Sequence, residues 1–206
     1  MPIGRFSSMK PATFSTAIKC LAIAALDMQQ KGTLKGSGVI ATVMSNLGLE
    51  LALRDAGLGL VRTQVGDRYV VEKMVADNYN LGGEQSGHIL FLDHNTTGDG
   101  AITCLQMLAL MVEKRQRLSA LKRVMTRLPQ VLLNIDVKER RDLTSMLKVS
   151  QKIAEVEMRF GGTRAGIGAL FRHRVARSSH VGRRERKKIR AMAEDIADRI
   201  RAEVGS

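Results

Sequence analysis

Short apolar runs that alternate with amphipathic segments constrain the fold of this chain more than any other feature. Residues 38–44 form an apolar run of strand length, and Ser45 and Asn46 follow it with side chains that cap helices well. A second strand is predicted over Leu58–Gln64, and a helix is predicted over Tyr69–Asp77. Continuous apolar runs are typical of parallel strands that are buried on both faces. The alternation therefore predicts a small α/β domain with a largely parallel sheet.

The same patterns assign the other segments of the chain. Helices are predicted over Ala17–Gln30, 46–56, Asp99–Glu113, Leu118–Arg127, Arg141–Phe160 and Ala191–Val204, and strands over His88–Leu92 and Val131–Ile135. We expect Asn80–Gly83 to be a turn and a domain boundary to fall near Leu128 and Pro129. The length of 206 residues suits one sizeable core or two small ones, so a second, smaller unit is expected after the boundary.

The run from Leu81 to His88 combines glycines with side chains that suit a polyhydroxylated ligand. Glu84 can accept two hydroxyl hydrogens, Ser86 can donate and accept, and His88 can do either, depending on its tautomer. Gly87 and two further glycines allow a tight turn and a close approach of the ligand to the backbone. These residue types leave two interpretations open, a sugar-contact loop and an ordinary turn whose glutamate caps a helix.

A longer pattern favours the sugar-contact interpretation. Residues 83–100 spell G-E-Q-S-G-H, four apolar residues and then D-x-x-T-T-G-D-G. This pattern resembles the sugar-binding loop of the α-D-phosphohexomutases, and within that family of the phosphoglucosamine mutases. Residues 42–50 and 65–70 resemble two further signatures of the same family, in the right order. The resemblance covers about Leu21 to Thr163 and is specific because three motifs share one register.

The resemblance implies an enzyme, an isomerase that transfers phosphoryl groups within a hexose phosphate. The implied reaction interconverts glucosamine 6-phosphate and glucosamine 1-phosphate through a phosphoserine and a bisphosphate, with Mg²⁺, in the synthesis of amino-sugar nucleotides and cell-wall precursors. The implied architecture is a sugar-binding α/β domain at residues 21–128 and a smaller, disrupted α+β phosphate-binding domain at residues 129–206. Another phosphohexomutase, acting on glucose or mannose phosphates, is the alternative.

Site residues carry over from the resemblance one by one. Glu84 and Ser86 would contact sugar hydroxyls, and Gly66 and Gly87 would shape the two loops of the site. Arg68 would face the reacting phosphate or the sugar, although it could equally be a surface residue paired to its neighbour Asp67. His88 would help proton transfer as a catalytic residue, whereas histidines in such loops also serve as structural hydrogen-bonding groups.

Further polar residues stand at the ends of predicted elements. Thr42, Ser45 and Asn46 close a strand at its carboxyl end, where α/β sheets place their ligands. Helix capping explains Ser45 and Asn46 equally well. Residues 96–99 are expected to shape a turn and cap a helix through Asp99 rather than touch substrate.

Composition narrows the classes of function. The chain has no Trp and its aromatic content is 3%, so platforms that stack nucleic-acid bases are not expected. Cys20 and Cys104 give neither a disulfide framework nor the spacing of a metal site, which fits a reducing, cytoplasmic setting. No apolar stretch reaches the ~20 residues of a membrane span. The basic start of the chain resembles a targeting peptide, but its apolar part belongs to the helix predicted at residues 17–30.

Two basic patches account for almost all of the net charge of +13. Residues 1–20 hold three basic residues and no acid, and residues 164–190 hold ten basic residues and one acid. The family's phosphate loop, R-x-S-G-T-E, is expected after Thr163, where this chain has no such motif. Nevertheless, one set of codons permitted for residues 164–178 encodes R-Y-S-G-T-E when it is read from its second base. Codons permitted for residues 1–20, when they are read from the third base, encode a sequence that matches the end of the family's metal loop.

These fits predict a gene with shifted frames rather than an acquired basic module. The shifts would lie near Cys20–Leu21, near Thr163–Arg164 and between Ser179 and Lys187. Residues 1–20 would then be an out-of-frame remnant of the metal-binding domain, and the second domain would be disrupted at residues 164–183. Shifted frames of a GC-rich gene yield arginine readily, which explains both patches.

A fragment of this kind would lack most of the catalytic groups of the family. The phosphoserine and the Asp-rich metal loop are absent from the 206 residues. We therefore expect no metal at this chain, no mutase activity from it alone, and a phosphosugar as its ligand. Nucleic acid and membrane are not expected partners. The competing hypothesis is a genuine basic module that binds nucleic acid or an acidic protein through residues 164–190.

Overall fold

The computed structural model describes residues 14–128, 130–131, 145–159 and 183–204. The chain divides into two units, one ending at Arg127 and one beginning at Leu128. In the first unit the elements are α1 (Phe14–Gln30), β1 (Gly38–Thr42), α2 (Leu47–Asp55), β2 (Gly59–Thr63), α3 (Asp67–Ala76), β3 (Leu81–Gly83), β4 (Ile89–Phe91), α4 (Gly100–Glu113), α5 (Leu118–Leu121) and a 3₁₀ turn at Lys122–Val124. The described elements of the second unit are α6 (Leu147–Arg159) and α7 (Arg183–Val204).

A four-stranded sheet with the order β2-β1-β3-β4 forms the centre of the first unit. Strand β1 pairs in parallel with both β2 and β3, and β4 pairs antiparallel to β3. All five residues of β1 are buried. The predicted α/β class and largely parallel sheet are thus confirmed, with one antiparallel strand at the edge.

Hydrophobic layers cover both faces of the sheet. On one face Val39 and Ala41 pack in a large cluster that also includes Leu21 of α1 and Leu49 of α2. On the other face Ile40 lies in a separate cluster with Val70 and Met74 of α3 and Leu90 of β4. Alternate residues of β1 therefore point into different cores, as the pleat of a strand requires. The result is a three-layered arrangement of helices, sheet and helix.

Most predicted helices and strands of this unit are present, with shifts of a few residues at their ends. Two predictions were wrong. Leu81–Gly83 is strand β3 rather than a turn, because it pairs with β1 on one side and β4 on the other. The helix predicted over Leu118–Arg127 ends at Leu121 and continues as a 3₁₀ turn, and Met125 is already extended.

The described part of the second unit consists of helices α6 and α7, which pack through a small apolar cluster. Val149 and Val156 of α6 and Ile196 and Ile200 of α7 are buried in it. Helix α7 begins eight residues before the predicted start at Ala191. The strand predicted over Val131–Ile135 and the segment predicted to be disrupted at residues 164–183 lie almost wholly outside the described residues. Of the proposed out-of-frame remnant at residues 1–20, the structure describes residues 14–20, which form the start of α1. None of the helices in the described ranges is long and apolar enough to cross a membrane.

Candidate functional site

Three loops meet at the carboxyl edge of the parallel strands. The loop after β1 holds residues 43–46, the loop after β2 holds residues 64–66, and the loop between β3 and β4 holds residues 84–88. Parallel strands that end at one edge bring their following loops together, and this is where open α/β sheets bind ligands. The fold thereby collects the three motifs that are separated along the sequence.

The loop between β3 and β4 is a tight turn closed by its own backbone. The N–H of Glu84 donates to the carbonyl of His88 at 2.8 Å, and the N–H of Gly87 donates to the carbonyl of Glu84 at 3.2 Å. Gly87 has a φ of 131°, a conformation that side chains strongly disfavour. Glu84 and Gln85 are buried, whereas residues 86–88 are exposed. The backbone of the turn is therefore fixed by hydrogen bonds, while the side chains of Ser86 and His88 are exposed to solvent.

The carboxylate of Glu84 is the centre of the site. Its Oε1 accepts a hydrogen bond from the backbone N–H of Gly66 at 2.9 Å. Its Oε2 accepts one from the hydroxyl of Ser86 at 3.3 Å and lies 3.7 Å from Nδ1 of His88. Four of the predicted site residues thus form one connected group. Since each carboxylate oxygen can accept more than one hydrogen bond, Glu84 retains capacity for a ligand hydroxyl.

His88 stands at the outer rim of this group. Its side chain is 59% exposed, with Nδ1 turned toward Glu84. Gly98 packs closely against His88, and a Cβ added at Gly98 would lie only 3.0 Å from the Cβ of His88. The glycine of the T-T-G-D-G segment therefore makes room for the histidine. Sequence reasoning did not assign this role to Gly98, and the available signal was a glycine directly before the capping residue Asp99.

Asp99 caps helix α4, as predicted. Its side chain accepts hydrogen bonds from the backbone N–H groups of Ala101 at 2.7 Å and Ile102 at 3.1 Å. The N–H of Asp99 also donates to the carbonyl of Ile89 in β4 at 3.4 Å. This hydrogen bond connects the start of α4 to the sheet next to the turn. Its contacts are thus those of a cap.

Gly66 and Arg68 lie on the second loop and on the start of α3. Gly66 has a φ of 132° and directs its N–H toward Glu84. Arg68 is largely exposed and pairs with Glu72 at 2.7 Å, an interaction that raises the pKa of Arg68. Its backbone N–H donates to the carboxylate of Asp67 at 2.8 Å. The guanidinium is therefore held along α3 by Glu72 and not by Asp67, which was the partner considered from the sequence.

Arg62 of β2, a residue that sequence reasoning missed, contacts the backbone of the loop after β1. Its guanidinium donates to the carbonyl of Ser45 at 3.0 Å and pairs with the Glu50 carboxylate at 2.9 Å. Asn46 caps α2 by accepting from the N–H of Gly48, as predicted. The Ser45 side chain is buried, and its hydroxyl has no partner within the described ranges. A lone arginine in a predicted strand was the available signal for Arg62.

Asp93 lies at the opposite edge of the sheet, although it belongs to the same sequence pattern as the turn. Its carboxylate pairs with Lys35 at 2.8 Å and accepts a hydrogen bond from the amide of Asn80. Asn80 also accepts from the backbone N–H of Lys35 at 2.8 Å. Asp93 therefore lies away from the turn at residues 84–88, although both belong to the pattern at residues 83–100. Its strand, β4, runs antiparallel and ends at the far edge.

The described ranges contain no group of three or more His, Cys, Asp or Glu side chains placed to hold a metal ion. The free thiols of Cys20 and Cys104 differ in exposure, since Cys20 is buried and Cys104 is exposed. Burial raises the pKa of the Cys20 thiol.

Comparison with known families identifies the first unit. Residues 18–128 match the family model described as phosphoglucomutase/phosphomannomutase, alpha/beta/alpha domain III. The chain is 57% identical over 141 residues to a phosphoglucosamine mutase of Magnetococcus marinus, with 68% of this chain and 29% of that protein covered. It is 43% identical over 195 residues to a phosphoglucosamine mutase of Geotalea daltonii, with 90% of this chain and 41% of that protein covered. The chain therefore spans well under half the length of these relatives.

Solved structures support the same fold. An N-acetylphosphoglucosamine mutase of Aspergillus fumigatus, in complex with GlcNAc-6P and magnesium, aligns with a TM-score of 0.56 at 16% identity, covering 92% of this chain and 46% of that one. An apo N-acetylglucosamine-phosphate mutase of the alpha-D-phosphohexomutase superfamily aligns with a TM-score of 0.51 at 15% identity, covering 68% of this chain and 36% of that one. At these identities the likeness concerns the fold alone.

Proposed function

The chain belongs to the phosphoglucomutase/phosphomannomutase family through its α/β/α domain III, and on that premise we propose that its first unit is the sugar-binding domain of a phosphoglucosamine mutase. The observation that carries the proposal is the connected group around Glu84, which unites the turn at residues 84–88 with Gly66. The similarity to phosphoglucosamine mutases at 43–57% identity supports glucosamine phosphates as the substrate class.

In this proposal Glu84 and Ser86 bind adjacent sugar hydroxyls. The buried carboxylate of Glu84 is already fixed by Gly66, so little conformational freedom is lost when a hydroxyl donates to it. Ser86 is exposed and lies within hydrogen-bond distance of that carboxylate, so that it can accept from a second hydroxyl. Hydroxyl recognition of this kind is specific, because an analogue that lacks the group forgoes a hydrogen bond to a carboxylate that is already fixed in place.

His88 is proposed to hold or move a proton at the rim of the site. Its Nδ1 faces Glu84, which favours the tautomer with the proton on Nδ1 and leaves Nε2 directed away from the carboxylate. An exposed imidazole in this position can accept a proton from a bound hydroxyl or donate one to a phosphate oxygen. Arg68 would reach the phosphate only by leaving Glu72, which a dianionic ligand can promote because it competes for the same guanidinium.

The phosphoryl-transfer groups of the proposed reaction are a phosphoserine and a bound Mg²⁺, which offsets the charge of the transferring phosphoryl group. The 206 residues contain neither the phosphoserine motif nor the Asp-rich metal loop. The proposed contribution of this chain is therefore substrate binding and orientation, in a cytoplasmic setting. We expect no turnover from the purified chain alone.

A graft tests the proposal in a complete enzyme. Residues 18–128 would replace the matching part of the Magnetococcus marinus phosphoglucosamine mutase, and turnover would be measured with glucosamine, glucose and mannose phosphates. We expect turnover with a preference for glucosamine phosphate, and a loss of at least about tenfold in kcat/KM for Glu84→Ala and Ser86→Ala in the graft. A folded graft that prefers glucose or mannose phosphate would assign the chain to another phosphohexomutase. A folded graft that is inactive with all three sugars would refute the proposal.

A further inference from the structure

The two cysteines of the chain lie on neighbouring helices of the first unit. Cys20 belongs to α1 and Cys104 to α4. Both are free thiols, and Cys20 is buried whereas Cys104 is exposed. The first unit therefore holds one shielded thiol and one accessible thiol, on two helices that pack in the same hydrophobic cluster.

Helices α1 and α4 run side by side in the same direction. The ammonium of Lys114, directly after α4, donates to the amide oxygen of Gln30 at 2.8 Å and pairs with Asp27 at 2.9 Å. The ammonium of Lys31 pairs with Glu113 at 2.6 Å. These contacts join the carboxyl-terminal ends of the two helices. Because the helices also share one core cluster, the contact between their ends means that they are parallel.

The end contacts fix the register of the two helices. Gln30 and Lys114 are 84 positions apart in the sequence. Every α-helix rises by about 1.5 Å per residue, so parallel helices in contact keep nearly the same offset along their length. Cys20 and Cys104 are also separated by 84 positions, the offset of the Gln30–Lys114 contact. The two thiols therefore lie at the same level of the helix pair.

Both cysteines also lie toward the interface between the helices. Cys20 precedes Asp27 by two helical turns and so lies on the side of α1 that contacts α4. Cys104 likewise precedes Met111 by two turns, and Met111 packs against the cluster that contains Cys20. Burial is the main cause of the raised pKa of Cys20, and the nearby sulfur of Cys104 raises it further, against the charge of Lys122.

The distance between packed helices suits a disulfide. Helix axes in contact are about 8–10 Å apart, and each Cα lies about 2.3 Å from its own axis. Facing residues at one level therefore have Cα atoms roughly 4–7 Å apart, which is the span of a disulfide.

We propose that Cys20 and Cys104 are a redox-active dithiol, which a hydroperoxide converts into a disulfide between α1 and α4. In a reducing setting both thiols are free, as they are in this structure. Cys104 is the thiol that meets the oxidant, because it is exposed, and Cys20 is the shielded thiol that completes the bond. The inference is independent of the proposed sugar binding, since it concerns two helices and no residue of the turn at 84–88.

The reaction has two steps, shown here for hydrogen peroxide. The Cys104 thiolate attacks one peroxide oxygen, the O–O bond breaks, and the other oxygen leaves as water after it takes up a proton. Cys104 is then a sulfenic acid. The sulfur of Cys20 attacks the sulfur of Cys104, the S–S bond forms, the S–O bond breaks, and the hydroxide leaves as water with the proton of Cys20. The two thiols lose the two electrons that the peroxide gains.

Mass spectrometry of the full chain tests the proposal. The reduced protein would be treated with a small excess of hydrogen peroxide, catalase would stop the reaction, and iodoacetamide would block the remaining thiols. We expect a peptide pair linked through Cys20 and Cys104 in unreduced digests, and an unblocked intact mass lowered by about 2 Da for the two lost hydrogens. Dithiothreitol should restore both thiols, and gel filtration should show no covalent dimer.

Two single variants separate the roles of the thiols. In Cys20→Ala the sulfenic acid of Cys104 should persist and be captured by dimedone. In Cys104→Ser the buried thiol should oxidise at least about tenfold more slowly than Cys104 does in the wild type. The matched control is Cys104→Ser/Val112→Cys, which moves the exposed thiol by two turns, or about 12 Å, along α4. Val112 is 78% exposed, so the moved thiol should react with peroxide but should not link to Cys20.

Three outcomes would overturn the proposal. The first is oxidation of Cys104 in the wild type without a link to Cys20. The second is a disulfide that forms only between two chains. The third is a link to Cys20 that forms as fast in the Val112→Cys control as in the wild type, because the register of α1 and α4 would then have no part in it. None of these measurements involves a sugar or turnover, so their failure and that of the proposed function are distinguishable.

Discussion

The carboxylate of Glu84 accepts a hydrogen bond from the backbone N–H of Gly66 at 2.9 Å, across the end of strand β1. The two residues follow strands β3 and β2, which are not neighbours, because β1 lies between them in the sheet. The side chain proposed to bind a sugar hydroxyl therefore also fixes the backbone of a second loop. Loss of Glu84 should disturb stability as well as binding.

Glu84→Ala should lower the free energy of unfolding by about 1–3 kcal/mol, because the partly buried N–H of Gly66 loses a charged acceptor. Glu84→Gln keeps an amide oxygen that can accept the same hydrogen bond, so its loss should be smaller. Urea denaturation of the full chain measures both. Equal losses for the two variants would show that the hydrogen bond to Gly66 contributes nothing.

Arg62→Met should destabilise the first unit by about 1–3 kcal/mol. The variant leaves the Glu50 carboxylate without its ion-pair partner and the carbonyl of Ser45 without its hydrogen-bond donor. Arg68→Met is the matched control. Its ion pair with Glu72 is exposed to solvent, so this variant should change stability much less than Arg62→Met does. Thermal unfolding of the two variants side by side gives the comparison, and a larger effect at Arg68 would contradict it.

Gly66→Ala should cost about 1–3 kcal/mol, because Gly66 has a φ of 132° and a Cβ would lie 3.2 Å from the ring of Tyr69. Gly100→Ala is the control within the same unit. A Cβ at Gly100 meets nothing within 4 Å, so alanine at this helical position should be neutral or stabilising by up to about 1 kcal/mol. Chemical denaturation that finds Gly66→Ala neutral would refute the strain argument.

Acid should destabilise the first unit partly through Asp93. The hydrogen bonds from Lys35 and Asn80 lower the pKa of Asp93 below its usual value. A carboxyl group with a lowered pKa in the folded state adds stability above its unfolded pKa of about 3.9, and that stability is lost as the pH falls through the folded pKa. Asp93→Asn should therefore lose less stability than the wild type between pH 5 and pH 2. Parallel pH profiles for the two proteins would contradict this.

The sequence by itself was sufficient for features that depend on local spacing. The apolar run of β1, the cap of α2 by Asn46 and the cap of α4 by Asp99 all depend on residues within a few positions of one another. Local periodicity and capping chemistry are encoded in such short windows. The same holds for the family, because each of its motifs is a contiguous run of residues that can be recognised by its spelling alone.

Only the tertiary structure decided which distant residues meet. Leu81–Gly83 has a glycine-rich sequence typical of a turn, and it is a strand because β1 and β4 satisfy its backbone on both sides. The sheet order then brings Gly66 to Glu84, whereas the antiparallel direction of β4 takes Asp93 to the far edge. Hydrogen bonds between residues far apart in the chain depend on strand order and direction, which no local pattern in the sequence specifies.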